Sequence, residues 1–217
     1  MKHFLLMIAM VALVGCGKPK TEFEATKEKA EQGDVIAQHR LGGMYHYGKG
    51  VEQDFKEAVK WYRKAADQGD AKGQTSLGFM YAEGHGVEQD FKEAFKWYQK
   101  AADQGFDFGQ NNLGVMYRDG KGVEQDFKEA LKWFQKSAEQ GHAAGQASLG
   151  GVYAKGQGVE QDNVTAYAWW NIAATNGNQN AKNNKSVVAK EMTADQIAKA
   201  EELSKEMTTK NPKLIKR

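Results

Sequence analysis

The chain has 217 residues, of which 41% are hydrophobic, so it is long enough and apolar enough to form a sizeable core. Its 30 basic residues nearly balance its 28 acidic residues, which argues against nucleic acid as the partner. Only two prolines accompany 24 glycines, a composition typical of helices separated by glycine-containing turns.

The N-terminus has the form of a secretory signal, because Lys2 precedes an apolar run over residues 4–14. That run covers about half of the ~20 residues that a membrane-spanning helix requires. The letters LVGC, which end at Cys16, resemble a bacterial lipobox, in which the cysteine becomes the lipid-bearing first residue of the mature protein. The sequence therefore predicts a lipoprotein signal peptide at 1–15, a lipid on Cys16 and a linker at 16–21. An ordinary signal peptide with a chance cysteine is the alternative.

The resemblance to bacterial lipoproteins also implies a location. Gly17, rather than aspartate, follows the cysteine, and this implies sorting to the outer membrane. Acyl chains contribute about 0.8 kcal/mol per buried CH2, so two or three of them hold a protein on a bilayer without a spanning helix. We therefore expect a lipid-anchored protein of the bacterial cell envelope that faces the periplasm.

The nine letters GVEQDFKEA occur three times in the chain, at a spacing of 36 residues. Self-similarity at this period is typical of a solenoid, in which each unit buries its apolar face against its neighbours. Two segments with helical periodicity lie in each unit, separated by a glycine-bounded loop. Aligned on the nine letters, the chain divides into four units at 34–69, 70–105, 106–141 and 142–177.

The second helical segment of each unit has clear start and stop signals. Asp54 and Glu57 have the D-x-x-E spacing of a capping box, and the pair recurs in the next two units. A glycine ends each segment, where a left-handed C-terminal cap favours a residue without a β-carbon. A tryptophan recurs on the buried stripe, so we expect it to pack in the core rather than to stack on sugars or bases. These tryptophans are Trp61, Trp97, Trp133 and Trp169.

The first helical segment has one invariant face. Its residues recur unchanged in every unit, at offsets of 0, 3, 4 and 7 that place them on one side of a helix. In the first unit they are Gln38, Leu41, Gly42 and Tyr45. A glycine inside a helix costs about 1 kcal/mol relative to alanine. Its presence in every copy predicts a place where two helix backbones approach closely.

Another face of the first segment differs from unit to unit. A repeated framework with one varied stripe is typical of a binding surface, although loss of constraint on a solvated surface produces the same divergence. Tyr47, Phe79, Phe108 and Arg118 are the best anchor candidates, because aromatic and arginine side chains dominate interaction hot spots. The candidate partner-binding residues are His39, Arg40, His46, Tyr47, Lys72, Phe79, Glu83, Phe108, Asn111, Asn112, Arg118 and Asp119.

The pattern AxxxLGxMYxxGxGVEQDxxxAxxWYxKAAxQG, found over 34–177, resembles the Sel-one-like repeat (SLR) family, which is related to the tetratricopeptide repeats. The resemblance implies an all-α fold: an α/α solenoid of antiparallel helix pairs with a period of 36 residues, whose first helices line a concave surface. It also implies a role in holding partner proteins. We place the solenoid at 22–208, with partial repeats at 22–33 and 178–208.

Residues 209–217 follow the solenoid as a basic tail that contains Pro212. A frayed, solvated end is the simplest interpretation, and attraction to anionic lipid is the alternative. Just before it, the letters TADQ at 193–196 have the spacing of a capping box and predict the start of a terminal helix.

Signals of catalysis or metal binding are weak in this sequence. His39 and His46 lie two helical turns apart, about 10 Å, which is too far for one metal ion. His85 occupies a loop position that lysine or glutamine fills in the other units, so we expect it in solvent. The sequence contains neither a phosphate-binding loop nor a serine nucleophile motif. We expect no enzyme activity, no metal and no cofactor.

The sequence thus predicts a non-enzymatic scaffold or adaptor that binds a protein partner through the concave face of the array. A second hypothesis is an immunity protein that neutralises a secreted toxic effector such as a lipase, since SLR lipoproteins include such inhibitors. A third is a β-lactamase-like or penicillin-binding role. The paired cysteines of the SLR proteins to which that role has been ascribed are missing here, which argues against it.

Overall fold

The computed structural model describes residues 20–216, which fold into eleven α-helices and two short 3-10 turns without any strand. The predicted all-α fold is confirmed. The predicted signal peptide at 1–15 and the predicted lipidation site Cys16 lie outside the described residues. The helices are α1 (Glu22–Glu31), α2 (Val35–Tyr47), α3 (Phe55–Asp67), α4 (Ala71–Glu83), α5 (Phe91–Asp103), α6 (Asp107–Asp119), α7 (Phe127–Glu139), α8 (Ala143–Lys155), α9 (Asn163–Thr175), α10 (Gln179–Val188) and α11 (Ala194–Lys210).

Each full repeat is a pair of helices, and each pair packs on the next along the chain. The pairs are α2 with α3, α4 with α5, α6 with α7, and α8 with α9. The first helices also meet across repeats, since α4 contacts α6 and α6 contacts α8. The first helices therefore lie on the inner side of the superhelix, as predicted.

An aspartate caps the start of each second helix, but the predicted capping boxes are only half formed. The Asp54 side chain accepts hydrogen bonds from the backbone of Lys56 and Glu57. The backbone N–H of Asp54, which Glu57 would need as its donor, instead donates to the carbonyl oxygen of Tyr45 at 3.0 Å. Glu57 turns to Lys60 and to the indole N–H of Trp61. The prediction is therefore right for the aspartate and wrong for the glutamate.

Complete capping boxes occur at the two ends of the array. Thr193 and Gln196 form the predicted one at the start of α11. Thr21 and Glu24 form another at the start of α1. At both ends the backbone N–H of the capping threonine donates to the side chain three residues later, at 2.9 Å for Thr21 and 2.8 Å for Thr193, so the exchange is complete.

The invariant glycine of each first helix makes room for an aromatic ring. A β-carbon on Gly150 would lie 2.7 Å from Cδ1 of Trp170 and 3.1 Å from the carbonyl oxygen of Ala166. The expected close approach is thus present, but a side chain of α9 forms most of it. The equivalent pairs are Gly42 with Tyr62, Gly78 with Tyr98, and Gly114 with Phe134.

The invariant glutamine links the two helices of a repeat to the helix before them. Nε2 of Gln74 donates to the carbonyl oxygen of Ala66 at 3.3 Å, and Oε1 of Gln74 accepts from Gln104 at 2.7 Å. A buried amide that lost such partners would cost about 1–3 kcal/mol, so these bonds fix the stacking of the repeats. The side-chain pair recurs as Gln38 with Gln68, Gln110 with Gln140, and Gln146 with Asn176.

The repeated tryptophans are all buried, which confirms their predicted place in the core. A lysine from the next turn covers three of them. The Nζ atom of Lys64 lies 3.9 Å from the ring centroid of Trp61, and Lys100 and Lys136 lie at 4.0 Å in the next two repeats. The rings are therefore closed to sugars or bases on that side.

The basic tail is docked rather than solvated, contrary to expectation. Leu214 is 3% exposed and packs into the same apolar cluster as Phe134, Leu149 and Ile172. Its carbonyl oxygen accepts from Gln146 at 2.8 Å and from Asn176 at 2.6 Å. The positive charges of the tail predicted a frayed end. The burial of Leu214 against distant helices and the hydrogen bonds to its carbonyl oxygen stabilise the docked tail instead.

Candidate functional site

The varied stripe of the first helices forms two grooves on the inner side of the superhelix. The first, which we call the aromatic groove, has a volume of about 470 Å³, and the second, the basic groove, about 450 Å³. The aromatic groove is lined by His39, His46, Tyr47, Tyr62, Lys72, Thr75, Ser76, Phe79, Phe106, Phe108 and Asn112. The basic groove is lined by Arg118, Ala147, Ser148, Gly151, Val152, Ala154, Lys155, Gln157, Trp170, Asn180 and Asn184.

The aromatic groove exposes three large rings from three successive first helices. Tyr47 is 73% exposed, Phe79 39% and Phe108 50%. The ring of His46 stacks on Tyr47 with centroids 4.4 Å apart, and it lies 5.9 Å from Phe79. Rings that remain in water although the rest of the array is well packed mark a surface suited to another apolar group.

The two histidines of the aromatic groove are held by hydroxyl groups. Nε2 of His39 lies 3.2 Å from Oγ of Ser76, and Nδ1 of His46 lies 3.4 Å from the hydroxyl oxygen of Tyr62. Burial lowers the pKa of both histidines below the ordinary value, so both rings are neutral at pH 7. Burial also raises the pKa of Tyr62, which keeps its hydroxyl protonated. The groove is therefore largely uncharged apart from Lys72.

His85 is packed against this cluster, and the expectation that it lies in solvent is wrong. Its ring stacks on Phe55 with centroids 4.7 Å apart and lies 6.3 Å from His46. The loop between α4 and α5 folds back over the start of α3, so His85 packs behind the aromatic groove, against Phe55 and beside His46. The single-unit sequence pattern carries no signal of this contact, because it forms between repeats.

The other predicted residues occupy different places. Arg118 lines the basic groove and forms a bidentate pair with Asp119, at 2.6 and 3.1 Å. Arg40 pairs with Glu22 of α1, and Glu83 is exposed outside both grooves. Asn111 is buried and accepts a hydrogen bond from Ser148 at 3.2 Å, so it joins two repeats instead of facing the groove.

Several groove residues were missed by the sequence analysis. Phe106 occupies the capping position that aspartate fills in the first two units, and this departure from the repeat was an available signal. Asn180 and Asn184 lie on α10. This helix follows the four full units in which the variable stripe recurs, so the repeat pattern carries no signal that it completes the basic groove.

Within residues 20–216, no group of three or more histidine, cysteine, aspartate or glutamate side chains is placed to hold a metal ion. Nor does any helix in this part of the chain combine the length and apolar character needed to cross a bilayer.

Several solved structures are similar to the chain, among them two SLR proteins, whereas no curated protein matches it. The protein c5321 of uropathogenic Escherichia coli, described as a protective antigen with an SLR fold, is 38% identical over 88% of the chain, with a TM-score of 0.82. The match covers 42% of that protein, so the chain spans less than half the length of this relative. A Sel1 repeat protein of Oxalobacter formigenes is 34% identical over 85% of the chain and 78% of its own length, with a TM-score of 0.71.

The Sel1 repeat model matches four segments of the chain, at 35–70, 71–106, 108–142 and 143–178. These segments agree with the four units of 36 residues and together cover more than half of the sequence. Sel1 repeat proteins are generally protein-interaction scaffolds without catalytic activity. The repeat pattern, the stacked helix pairs and the matched segments together show that the chain belongs to the Sel1 repeat family.

Proposed function

We propose that the chain is a scaffold lipoprotein of the bacterial cell envelope that holds a protein partner in its aromatic groove. The observation that carries this proposal is the exposure of Tyr47, Phe79 and Phe108 along one groove of an otherwise well-packed array. The family's general role in protein interaction supports it. The lipobox that ends at Cys16 supports the envelope location.

The energetics favour a protein partner over a water-filled groove. An aromatic side chain buries about 150–250 Å² when it is covered, and a central aromatic hot spot contributes about 2 kcal/mol or more to binding. The neutral histidines add ring surface without the desolvation cost of a charge. Two such anchors on adjacent first helices therefore account for a specific interaction.

Removal of the anchors should abolish capture of the partner. Phe79→Ala combined with Phe108→Ala is expected to weaken retention of the partner from detergent-solubilised envelope at least tenfold, measured by quantitative mass spectrometry of the eluate. Both rings are exposed, so circular dichroism should show unchanged helicity. Val187→Ala is the matched control, because this side chain is 59% exposed but lies outside both grooves. Equal recovery of the same protein by the double variant and the control would contradict the proposal.

The predicted lipid anchor at Cys16 is tested separately from the aromatic groove. Cys16→Ala should move the protein from the membrane fraction to the soluble fraction after cell lysis, because alanine has no thiol to carry a thioether-linked lipid. Gly17→Ala keeps the cysteine and serves as the control, and it should stay with the membrane. Membrane retention of Cys16→Ala would show that the chain is not lipid-anchored through this residue, whatever its partner.

A further inference from the structure

The two grooves meet at one helix. Asn112 of α6 lines the aromatic groove, and Arg118 of the same helix lines the basic groove. These residues are six positions apart, which is about 9 Å along a helix axis. Both grooves open on the inner side of the superhelix, so one elongated ligand can lie across α6 and occupy both.

The basic groove carries more positive than negative charge. A hydrogen bond from Arg118 holds the pKa of Asp119 below its usual value, and the positive charges of Lys121 and Lys155 act in the same direction. Arg118 and Lys155 line the groove, and no aspartate or glutamate is among its lining residues. Among residues 20–216, neither Lys121 nor Lys155 has a carboxylate oxygen within 4.0 Å. The site has room for a second anionic group.

The floor of the basic groove suits an extended backbone. Ala147, Gly151 and Ala154 present small side chains, which let a peptide approach α8 closely. Asn180 and Asn184 are exposed on the adjacent α10, where their amides can pair with peptide N–H and C=O groups. Because the aromatic groove is apolar and the basic groove is polar, a ligand that fills both needs one apolar end and one polar end.

We propose that the occupant is an extended acidic peptide segment of the partner, with an apolar side chain in the aromatic groove and aspartate or glutamate side chains in the basic groove. This inference rests on the proposed function and adds the chemistry of the partner. Adjacent packed helices lie about 8–10 Å apart and an extended chain rises about 3.3 Å per residue. Phe79 on α4 and Lys155 on α8 are two such helix spacings apart, about 16–20 Å, so the apolar and acidic residues of the segment are separated by about five to six positions.

The probe is a library of random dodecapeptides displayed on phage and selected on the full mature chain. The expected result is enrichment of peptides that carry an aromatic or aliphatic residue about six positions from a pair of acidic residues. The affinity of an enriched peptide, measured by fluorescence anisotropy, should fall at least tenfold for Arg118→Gln combined with Lys155→Gln. Lys92→Gln combined with Lys128→Gln removes the same charge from exposed positions on the second helices and should leave the affinity unchanged.

The other outcomes overturn the inference. Enriched peptides with apolar residues but no acidic preference would mean that the basic groove is not used, although the aromatic groove could still hold a partner as proposed above. A library without enriched peptides would mean that the ligand is not an extended peptide segment. A single-stranded decanucleotide that competes as well as the unlabelled peptide would mean that the cations form a general anion surface. The proposed function is tested independently of these results, by the retention of the partner on the variant that combines Phe79→Ala with Phe108→Ala.

Discussion

Gly150→Ala is expected to lower the free energy of unfolding by about 2 kcal/mol, whereas Gly151→Ala, one residue later, is expected to raise it by about 1 kcal/mol. Both positions lie within α8, so both gain the helix propensity of alanine. At Gly150 the new methyl group would meet the buried ring of Trp170 at 2.7 Å and a backbone oxygen of α9 at 3.1 Å. At Gly151 no heavy atom lies within 4 Å, so the gain in propensity is unopposed.

Urea denaturation of the two variants and the parent chain checks this pair. Because the substitutions are chemically identical and adjacent, expression and solubility effects largely cancel in the comparison. If both variants were more stable than the parent chain, the ring would have room to move and the close packing of α8 on α9 would not be rigid. The opposite signs would show that the invariant glycine is retained for packing alone.

Leu214→Ala is expected to lower the free energy of unfolding by about 2–4 kcal/mol, although only three residues follow Leu214 in the sequence. Its side chain is 3% exposed and fills a cluster that contains Phe134, Leu149 and Trp169. Removal of most of that side chain leaves a cavity between α7, α8 and α9, because the surrounding helices are held by their own repeats and relax only partly.

The measurement is urea unfolding followed by circular dichroism at 222 nm. Val187→Ala provides the control, since an exposed valine should change stability by less than about 0.5 kcal/mol. A Leu214→Ala variant as stable as this control would mean that the tail is only loosely attached. It would also remove the reason for including residues 211–216 in the folded array.

The repeat plan was predictable because its signals are local and occur four times. Asp54 and its equivalents mark helix starts, the terminal glycines mark helix ends, and the offsets of Leu41 and Tyr45 define a buried face. Each signal acts within one or two turns of helix, where a sequence specifies backbone geometry directly. Four copies in one chain also separate invariant packing positions from variable ones.

The contacts between distant segments were not predictable in this way. Leu214 sits in a run of lysines that resembles a solvated end, and only the fold brings it beside Leu149. The failed capping role of Glu57 has the same origin, because the amide it would accept from is bonded to Tyr45 across the loop. Both outcomes depend on how the chain returns to an earlier helix, nine residues back for Tyr45 and 65 residues back for Leu149, which no pattern within one helix records.

The candidate interface was predicted in part. The variable stripe does face the inner surface, and Tyr47, Phe79 and Phe108 come together there. The pattern could not show that the stripe divides at α6 into two grooves of different chemistry. Nor could it show that Asn111 turns inward to bond Ser148, because side-chain direction depends on the angle between neighbouring helices.

Because the tail is docked, the two halves of the array differ in how easily their helices separate. Through Asn211, Leu214 and Lys216 it holds α6, α7, α8 and α9 together, so the C-terminal half resists opening one repeat at a time. Within residues 20–105, the main helix–helix contacts that resist such opening join neighbouring repeats only. Local opening therefore costs less around α2 and α4, which carry the aromatic groove. A ligand can therefore change the shape of the N-terminal half, while the tail holds the C-terminal half in its shape. The free energy of tight binding must then include the entropic cost of ordering the N-terminal half.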